Sequence, residues 1–223
     1  MSIQETLQAV KQLFWPTRCA ACDILLDAKA QSLCTECRDT LRLCHYITSP
    51  SAIECACAFF MYEAAIQECI AKWKFHEDFY AQNALLSLCS EFAEKILPPP
   101  MPDSLIVSVP PHSKRLAQRG FDPAWTLAKH FQKLFGSVHG VIPQFDDEIL
   151  VRTKHTPHQA GLSNEERRKN LADAFITTRQ ISQPVILVDD VITTGATANA
   201  CAKMFVNAGA TNILLVGLAY APN

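Results

Sequence analysis

Several features that would assign a chain to a large functional class are absent from this sequence. Its 223 residues contain no run of about 18 apolar residues, so no transmembrane helix is predicted. The N-terminus lacks a basic start followed by an apolar block, which argues against a signal peptide. The net charge of −2 gives no overall attraction to nucleic acid or to an anionic membrane. These absences predict a soluble, cytoplasmic protein.

The glycine-rich loops of the common nucleotide-binding folds are missing too. The chain has neither the G-x₄-G-K-[ST] loop of nucleoside-triphosphate hydrolases nor the G-x-G-x-x-G loop of dinucleotide-binding domains. A G-x-S-x-G nucleophile motif is also absent. Any phosphate site must therefore be built from other residues.

The composition is that of an ordinary globular protein, with 49% hydrophobic and 19% charged residues. A chain of this length forms one large domain, or one core with a small appendage. The basic residues gather in two stretches, residues 114–119 and 152–169. Ten cysteines without an export signal favour metal binding or free thiols over disulfides.

Two C-x₂-C pairs, Cys19/Cys22 and Cys34/Cys37, are separated by eleven residues. Four thiolates at this spacing are typical of a closed structural zinc site, although free thiols or a redox pair remain alternatives. A second metal at Cys44, His45, Cys55 and Cys57 is disfavoured, because that spacing is irregular. We interpret those four residues as small apolar positions with a surface histidine.

The N-terminal half reads as mostly helical. Apolar residues at helical spacing between Ile3 and Phe14 predict one helix, and Tyr62–Lys74 and Ala84–Leu97 predict two more. The Lys72–His76 cluster interleaves basic and aromatic side chains, so it is either a nucleobase-stacking surface or a helix end with a buried tryptophan. Pro98–Pro102 is the strongest breaker. The predicted domains are residues 1–57 (helix and zinc ribbon), 58–100 (helical hood) and 101–223 (core).

Strands alternate with helices in the C-terminal half, which predicts an α/β core with a parallel sheet covered on both faces. One helix starts at Asp122-Pro123 and stops before Gly136, and another spans Thr197–Asn207. The polar segment Thr153–Asn170 is either a mobile loop over a site or a surface excursion. The predicted strands are Leu105–Val109, Glu148–Val151, Asp173–Ile176, Val185–Val188 and Ile213–Val216.

The most informative stretch follows the strand Val185–Val188. Asp189 and Asp190 come at its end, then the turn Thr193–Gly195, then a helix from Ala196. A small-residue turn before a helix directs backbone N–H groups and the positive helix end at a phosphate. Carboxylates repel phosphate, so they must face sugar hydroxyls or a bound Mg²⁺ on the same ligand. A sugar phosphate with free hydroxyls meets both demands.

Basic side chains are expected at the same place. Ligands of such sheets bind at the carboxyl ends of the strands. Lys114 and Arg115 follow the first predicted strand, and Arg152 follows the second. The sequence therefore predicts that the basic residues and the phosphate-binding turn converge.

The acidic pair followed by Thr-Thr-Gly-x-Thr resembles the phosphoribosyl pyrophosphate (PRPP) motif of type I phosphoribosyltransferases. Further motifs are spread along the chain: the two C-x₂-C pairs, Arg119-Gly120-Phe121, Arg152, Thr156-Pro157, Gln159, Gly161-Leu162-Ser163, Arg167, Asn170-Leu171 and Ala174-Phe175. With these motifs the chain as a whole is similar to the ComF (GntX-like) family. It departs from that family where Asp122-Pro123 follows Phe121 in place of the usual Asn-Gln.

The resemblance implies a type I phosphoribosyltransferase-like core, an N-terminal four-cysteine zinc ribbon (Cys19, Cys22, Cys34, Cys37) and a role in DNA uptake. It further implies that Asp189 and Asp190 hold the ribose 2′- and 3′-hydroxyls, directly or through Mg²⁺, and that Arg152, with Lys114 or Arg115, faces the pyrophosphate. Thr193, Thr194, Gly195 and Ala196 would donate backbone N–H groups to the 5-phosphate, and Thr197 its hydroxyl.

The leading hypothesis is accordingly a ComF-like protein that binds PRPP and Mg²⁺ and transfers phosphoribosyl to an acceptor that the sequence does not identify. One alternative is a non-enzymatic module that handles single-stranded DNA together with DNA-uptake proteins, using the basic stretches and the Lys72–His76 cluster. Another is a regulator that senses PRPP through the same fold.

Overall fold

The computed structural model describes residues 17–26, 32–153 and 174–222. The predicted helix between Ile3 and Phe14 and nearly all of the predicted loop Thr153–Asn170 lie outside these residues. The chain divides into two compact units, residues 1–42 with 62–88, and residues 43–61 with 89–223. The domain limits expected from the sequence stay predictions.

The described residues contain seven strands and six α-helices. The strands are β1 (Cys55–Met61), β2 (Leu105–Ser108), β3 (Gln144–Phe145), β4 (Leu150–Arg152), β5 (Phe175–Thr177), β6 (Val185–Ile192) and β7 (Ile213–Tyr220). The helices are α1 (Thr35–Asp39), α2 (Ala64–His76), α3 (Phe79–Ile96), α4 (Ser113–Arg119), α5 (Pro123–His139) and α6 (Ala196–Asn207). None of these helices is both long enough and apolar enough to cross a bilayer.

In the first unit, α2 is a core helix. Its residues Ile66, Cys69, Ile70 and Trp73 recur at intervals of three and four and are all buried, as the helical pattern predicts. The helix ends where Glu77 takes a left-handed backbone conformation with φ of 53°. The two helices predicted from the sequence in this part of the chain are confirmed, with shifts of a few residues at their ends.

A five-stranded parallel sheet organises the second unit, in the order β1-β7-β6-β2-β3. Its central strands are apolar on both faces: Val185–Val188 is fully buried in β6, and β7 is buried up to its last residue. The mixed α/β fold class is thus confirmed. The arrangement is consistent with a phosphoribosyltransferase-like core.

Strand β1 was not predicted from the sequence. Its run Cys-Ala-Cys-Ala-Phe-Phe-Met has no alternation and no β-branched residue, so local propensity did not indicate a strand. Pairing with β7 along its whole length forms it, from Cys55 opposite Leu214 to Met61 opposite Tyr220. The segment that includes Leu43 and Tyr46 makes antiparallel bridges to β1, so the edge of the sheet is covered.

Two of the predicted parallel strands are instead a separate ribbon. β4 and β5 pair with each other, antiparallel, with Leu150 opposite Thr177 and Arg152 opposite Phe175. The prediction that they belong to the parallel sheet was wrong. Their burial gives the physical reason. Leu150 of β4 and Phe175 of β5 are buried, whereas Val151, the residue after Leu150, is exposed. Only one face of the ribbon is therefore covered, unlike a strand inside a parallel sheet.

Helix α5 begins as predicted, with the Asp122 carboxylate accepting a hydrogen bond from the Ala124 N–H at 2.9 Å and Pro123 in the first turn. The expected end before Gly136 was wrong, because the helix continues to His139 and is capped by Gly140. Gly136 lies where the chain folds back on the helix, since a Cβ there would be 2.8 Å from Cγ1 of Ile142.

Candidate functional site

In the first unit, the four predicted cysteines form one cluster. One Sγ atom from each of Cys19, Cys22, Cys34 and Cys37 lies within 4.8 Å of all the others. Local structure brings them there: the Cys19 N–H donates to the Ile24 carbonyl at 2.8 Å. Cys34 is the N-cap of α1, so its thiol accepts from the Cys37 N–H at 3.4 Å.

The cluster fits a tetrahedral metal. The Sγ atoms of Cys22 and Cys34 are 3.7 Å apart, and four thiolates at Zn–S distances of about 2.3 Å require S–S separations of about 3.8 Å. The Cys19 thiol is buried, but backbone N–H groups of Cys22, Cys34 and Ala21 outweigh burial and lower its pKa to about 6. Burial and the neighbouring thiols raise the pKa of Cys37, so within the cluster it is Cys19 that loses its proton most readily. A thiol that ionises near neutral pH is a good metal ligand. These four residues could therefore hold a metal such as zinc.

The second candidate site is the turn Thr193–Thr197 of the second unit, which we call the phosphate turn. It joins β6 to α6, and Gly195 is the N-cap of α6 with φ of +67°. Thr193 and Thr194 are exposed, and Ala196 and Thr197 are half-buried. Because the first N–H groups of a helix have no partner within the helix, this turn presents donors to an anion.

Gly195 is required for two reasons. Its positive φ disfavours any residue with a Cβ. In addition, a Cβ at this position would lie 2.7 Å from Cγ of Pro50, closer than real contacts allow. Pro50 comes from a segment 145 residues earlier in the chain, and it covers one side of the turn.

The acidic pair lies within β6, not after it as predicted. β6 continues to Ile192 because β7 supplies partners, with Asp189 opposite Gly217 and Val191 opposite Ala219. Both carboxylates are half-buried. Oδ1 of Asp189 accepts from the Asp190 N–H at 2.9 Å, and Oδ1 of Asp190 accepts from the Val191 N–H at 2.6 Å. These hydrogen bonds hold the carboxylates at the carboxyl end of the sheet.

Asp190 lies close enough to two further charged residues, Arg119 and Asp122, to affect their pKa values. Burial lowers the pKa of the Arg119 guanidinium, while Asp190 and Asp122 oppose that change. Burial raises the pKa of Asp122 to about 6, and the negative charge of Asp190 adds to the rise. The two carboxylates therefore share the field of one arginine.

The predicted basic residues converge in part. Lys114 and Arg115 are exposed on α4, the short helix that follows β2. Arg152 is half-buried on β4, with its guanidinium 5.1 Å from the centre of the Phe175 ring. Burial lowers the Arg152 pKa, and Arg115 contributes in the same direction. Arg152 thus lies near Arg115 although it belongs to the ribbon and not to the parallel sheet.

Cys201 lies within electrostatic range of both Arg152 and Asp189. It is fully buried on α6, and burial raises the pKa of its thiol well above the ordinary value. The charge of Asp189 adds to that rise, and Arg152 opposes it. Asp189 and Arg152 therefore both lie close enough to Cys201 to affect its ionisation, which places them in the same neighbourhood.

Sequence reasoning missed some of these contributors. Arg119 entered as part of the basic stretch 114–119 and of a family-like motif, and Asp122 as a helix cap and a departure from the family, but neither was predicted as a site residue. The signal for a site, a buried carboxyl near an arginine, appears only in the structure. Pro50 carried no signal, because nothing in the sequence links it to Gly195. Pro50 and Gly195 come together only when the sheet has formed.

The Lys72–His76 cluster of the first unit is largely structural. Trp73 is fully buried, and Lys72 Nζ lies 2.6 Å from the Asp23 carboxylate with 18% of its side chain exposed. Phe75 is 69% exposed and Phe79, which begins the next helix, is 58% exposed. The interpretation as a helix end with a buried tryptophan is supported, and the exposed rings of Phe75 and Phe79 lie at the α2–α3 junction.

No model of a protein family matches the chain. Among individual proteins, it is 34% identical over 159 residues to "Competence protein F" of Haemophilus influenzae, covering 68% of this chain and 66% of that protein. It is 35% identical over 114 residues to "DNA utilization protein YhgH" of Escherichia coli O157:H7, covering 51% of this chain and 47% of that protein. It is 26% identical over 159 residues to "Competence protein ComFC" of Streptococcus pneumoniae, covering 70% of this chain and 64% of that protein. The chain thus spans between about half and just under two thirds of these relatives.

Proposed function

The chain belongs to the ComF family, and we propose that it binds PRPP with Mg²⁺ at the phosphate turn. The observation that carries the proposal is the pair Asp189 and Asp190, half-buried near the carboxyl end of β6 and followed, after the turn Thr193–Gly195, by the N-terminus of α6. Donors for a phosphate and acceptors for hydroxyls or a cation then lie side by side. PRPP carries all of these groups on one ribose.

Each part of the site has a proposed role. The N–H groups of Thr193–Ala196 and the Thr197 hydroxyl hold the 5-phosphate. Asp189 and Asp190 hold the ribose hydroxyls, directly or through Mg²⁺, which would supply charge neutralisation to the pyrophosphate. Arg152, with Lys114 or Arg115, faces the pyrophosphate.

If the protein is an enzyme, its reaction is phosphoribosyl transfer. The bond from C1 of the ribose to the pyrophosphate oxygen breaks, the oxygen keeps the electron pair, and an acceptor nucleophile forms the new bond to C1. The chain's contribution is to position the substrates and to stabilise the negative charge on the leaving pyrophosphate. The positive charges of Arg152, Lys114 and Arg115 suit that role.

The cysteine cluster is proposed to hold a structural zinc ion. Its four thiols take all four positions of a tetrahedral site, so no position stays open for substrate. The printed names of the relatives concern competence and DNA utilization, and we propose a role linked to DNA uptake for this chain as well.

Titration with PRPP tests the proposal. We expect millimolar PRPP with Mg²⁺ to raise the melting temperature measured by scanning fluorimetry, because a ligand of the folded state stabilises it. Asp189→Ala combined with Asp190→Ala should abolish the shift. Ribose 5-phosphate without Mg²⁺ serves as the control that lacks both the pyrophosphate and the metal. A wild-type protein with no shift at millimolar PRPP would rule the proposal out. A shift without turnover of any acceptor would favour the PRPP-sensing alternative.

Single-stranded DNA is the second candidate ligand, and each unit is considered by itself: the first exposes the rings of Phe75 and Phe79, and the second exposes Lys114 and Arg115. Affinity for oligo(dT), measured by fluorescence anisotropy, should fall steeply as salt rises, since phosphate contacts release counterions. Phe75→Ala with Phe79→Ala should weaken binding at every salt concentration, whereas Lys114→Ala with Arg115→Ala should also reduce the salt slope. Binding that ignores salt and all four substitutions would exclude this candidate.

A further inference from the structure

The segment Pro50–Glu54 runs beside α6, and we call it the strap. We propose that the strap positions the phosphate turn through two contacts, Pro50 on Gly195 and the Ala52 N–H on the Asn199 side chain. The inference rests on the proposed function, because it assumes that PRPP binds at the phosphate turn. It adds residues outside the turn that influence the affinity of the turn for PRPP. Nothing in the resemblance or in the names of the relatives assigns a role to these residues.

The strap is itself well anchored. The Ile53 N–H donates to the Pro50 carbonyl at 2.9 Å, which closes a tight turn. Ile53 is buried in the core together with Ala56 and the face of α6. At the lower end, the Glu54 N–H donates to the Ile213 carbonyl at 3.0 Å, and the Asn212 side chain donates to the Glu54 carboxylate. Pro50 is therefore held in place by the sheet.

At its upper end the strap meets the phosphate turn. Oδ1 of Asn199 accepts from the Ala52 N–H at 3.1 Å. The Asn199 N–H donates to the Gly195 carbonyl at 2.8 Å, which is the first hydrogen bond of α6. One residue thus joins the strap to the first helical turn. Pro50 lies against Gly195 so closely that a Cβ there would be 2.7 Å from the ring.

These two contacts restrict the residue whose conformation defines the turn. Gly195 has access to many backbone conformations, of which only the one with φ of +67° starts α6 as observed. A ligand that binds one conformation loses affinity in proportion to the fraction of molecules in the others. By raising the fraction in the observed conformation before ligand arrives, the strap strengthens phosphate binding.

Two asparagine substitutions separate positioning from general stability. Asn199→Ala removes the bond between the strap and α6 beside the turn, and Asn212→Ala removes a bond to the same strap at the opposite end of the sheet. Both should lower the melting temperature slightly. Binding is measured by isothermal titration of PRPP with Mg²⁺ well below the melting temperature, and amide hydrogen exchange of residues 193–197 is measured without ligand.

We expect Asn199→Ala to raise the Kd for PRPP about three- to tenfold, the range that loss of one hydrogen bond supports. Exchange of the turn amides should rise by a similar factor, and Asn212→Ala should change neither quantity. Pro50→Ala should also weaken binding. Tighter binding by Pro50→Ala would show that the strap obstructs the turn, which overturns the proposal.

Two other results are decisive. If Asn199→Ala and Asn212→Ala have the same Kd and the same exchange at residues 193–197, the strap does not position the turn. If the wild type does not bind PRPP, the proposed function fails, and the strap is then judged on exchange alone: faster exchange only in Asn199→Ala supports it, and unchanged exchange overturns it.

Discussion

The cysteine cluster takes its four thiols from residues 19–37, whereas the phosphate turn depends on residues spread from Pro50 to Asn199. In the cluster, short backbone hydrogen bonds such as that from Cys19 to Ile24 determine the geometry. In the turn, Gly195 has its conformation supported by a strand, a helix and a distant strap. A local site therefore needs only its own segment and a metal, while the turn needs an assembled sheet.

Loss of a cysteine from the cluster should have the largest effect on folding stability. A structural zinc contributes roughly 10 kcal/mol or more of folding free energy, so Cys34→Ser should abolish metal binding and unfold the first unit. Serine keeps an oxygen able to cap α1, which isolates the loss of the metal ligand. Zinc content by atomic emission and thermal melting by circular dichroism measure the outcome.

Cys69→Ala is the matched control for the cluster. Cys69 is a fully buried thiol of the same unit that is not part of the cluster, so this variant should keep one zinc per chain and lose about 1 kcal/mol of stability from a small cavity. If Cys34→Ser retained stoichiometric zinc and the wild-type melting curve, the cluster would not be a metal site.

A substitution in the phosphate turn should have a smaller effect on stability, and it has a matched control. Gly195→Ala combines the cost of positive φ with overlap against Pro50, so we expect about 2–4 kcal/mol of destabilisation and loss of the PRPP-induced shift in melting temperature. Gly140 has φ of +70°, and a Cβ added there would meet nothing within 4 Å, so Gly140→Ala should cost only about 1 kcal/mol. Urea unfolding of both variants measures the difference. Equal losses would mean that Pro50 does not constrain the turn.

The pH dependence of stability sharpens the comparison further. Burial raises the pKa of Asp122 from 3.8 to about 6 in the folded state. The folded state therefore binds this proton more tightly, and the associated stability is present below pH 3.8 and is lost as pH rises to about 6. Relative to wild type, Asp122→Asn should gain roughly 1–3 kcal/mol between about pH 4 and about pH 7. Asparagine still caps α5.

Urea titrations from about pH 4 to about pH 7 test this expectation. The stability difference between wild type and Asp122→Asn should grow in favour of the variant across that range. Parallel curves would show that the Asp122 carboxyl is not held in a buried, unfavourable environment.

Much of the fold was predictable wherever local chemistry and tertiary environment agree. The apolar run of β6, the Asp122-Pro123 start of α5 and the helical spacing of Trp73 all indicated their elements correctly. Prediction failed at β1 and at the β4–β5 ribbon. A run of small cysteines and alanines becomes a strand only through pairing with β7, and a three-residue apolar run does not reveal which sheet it joins.

By itself, the sequence determined the cysteine cluster and the order of groups around Gly195, because each depends on one short segment of the chain. Only the tertiary structure decided that Pro50 lies against Gly195, that Asn199 bonds Ala52, and that Arg119 and Asp122 lie within the field of Asp190. The physical reason is that side-chain contacts and electrostatic fields depend on distance in space. For residues far apart in the chain, the packing of the sheet and its helices sets that distance.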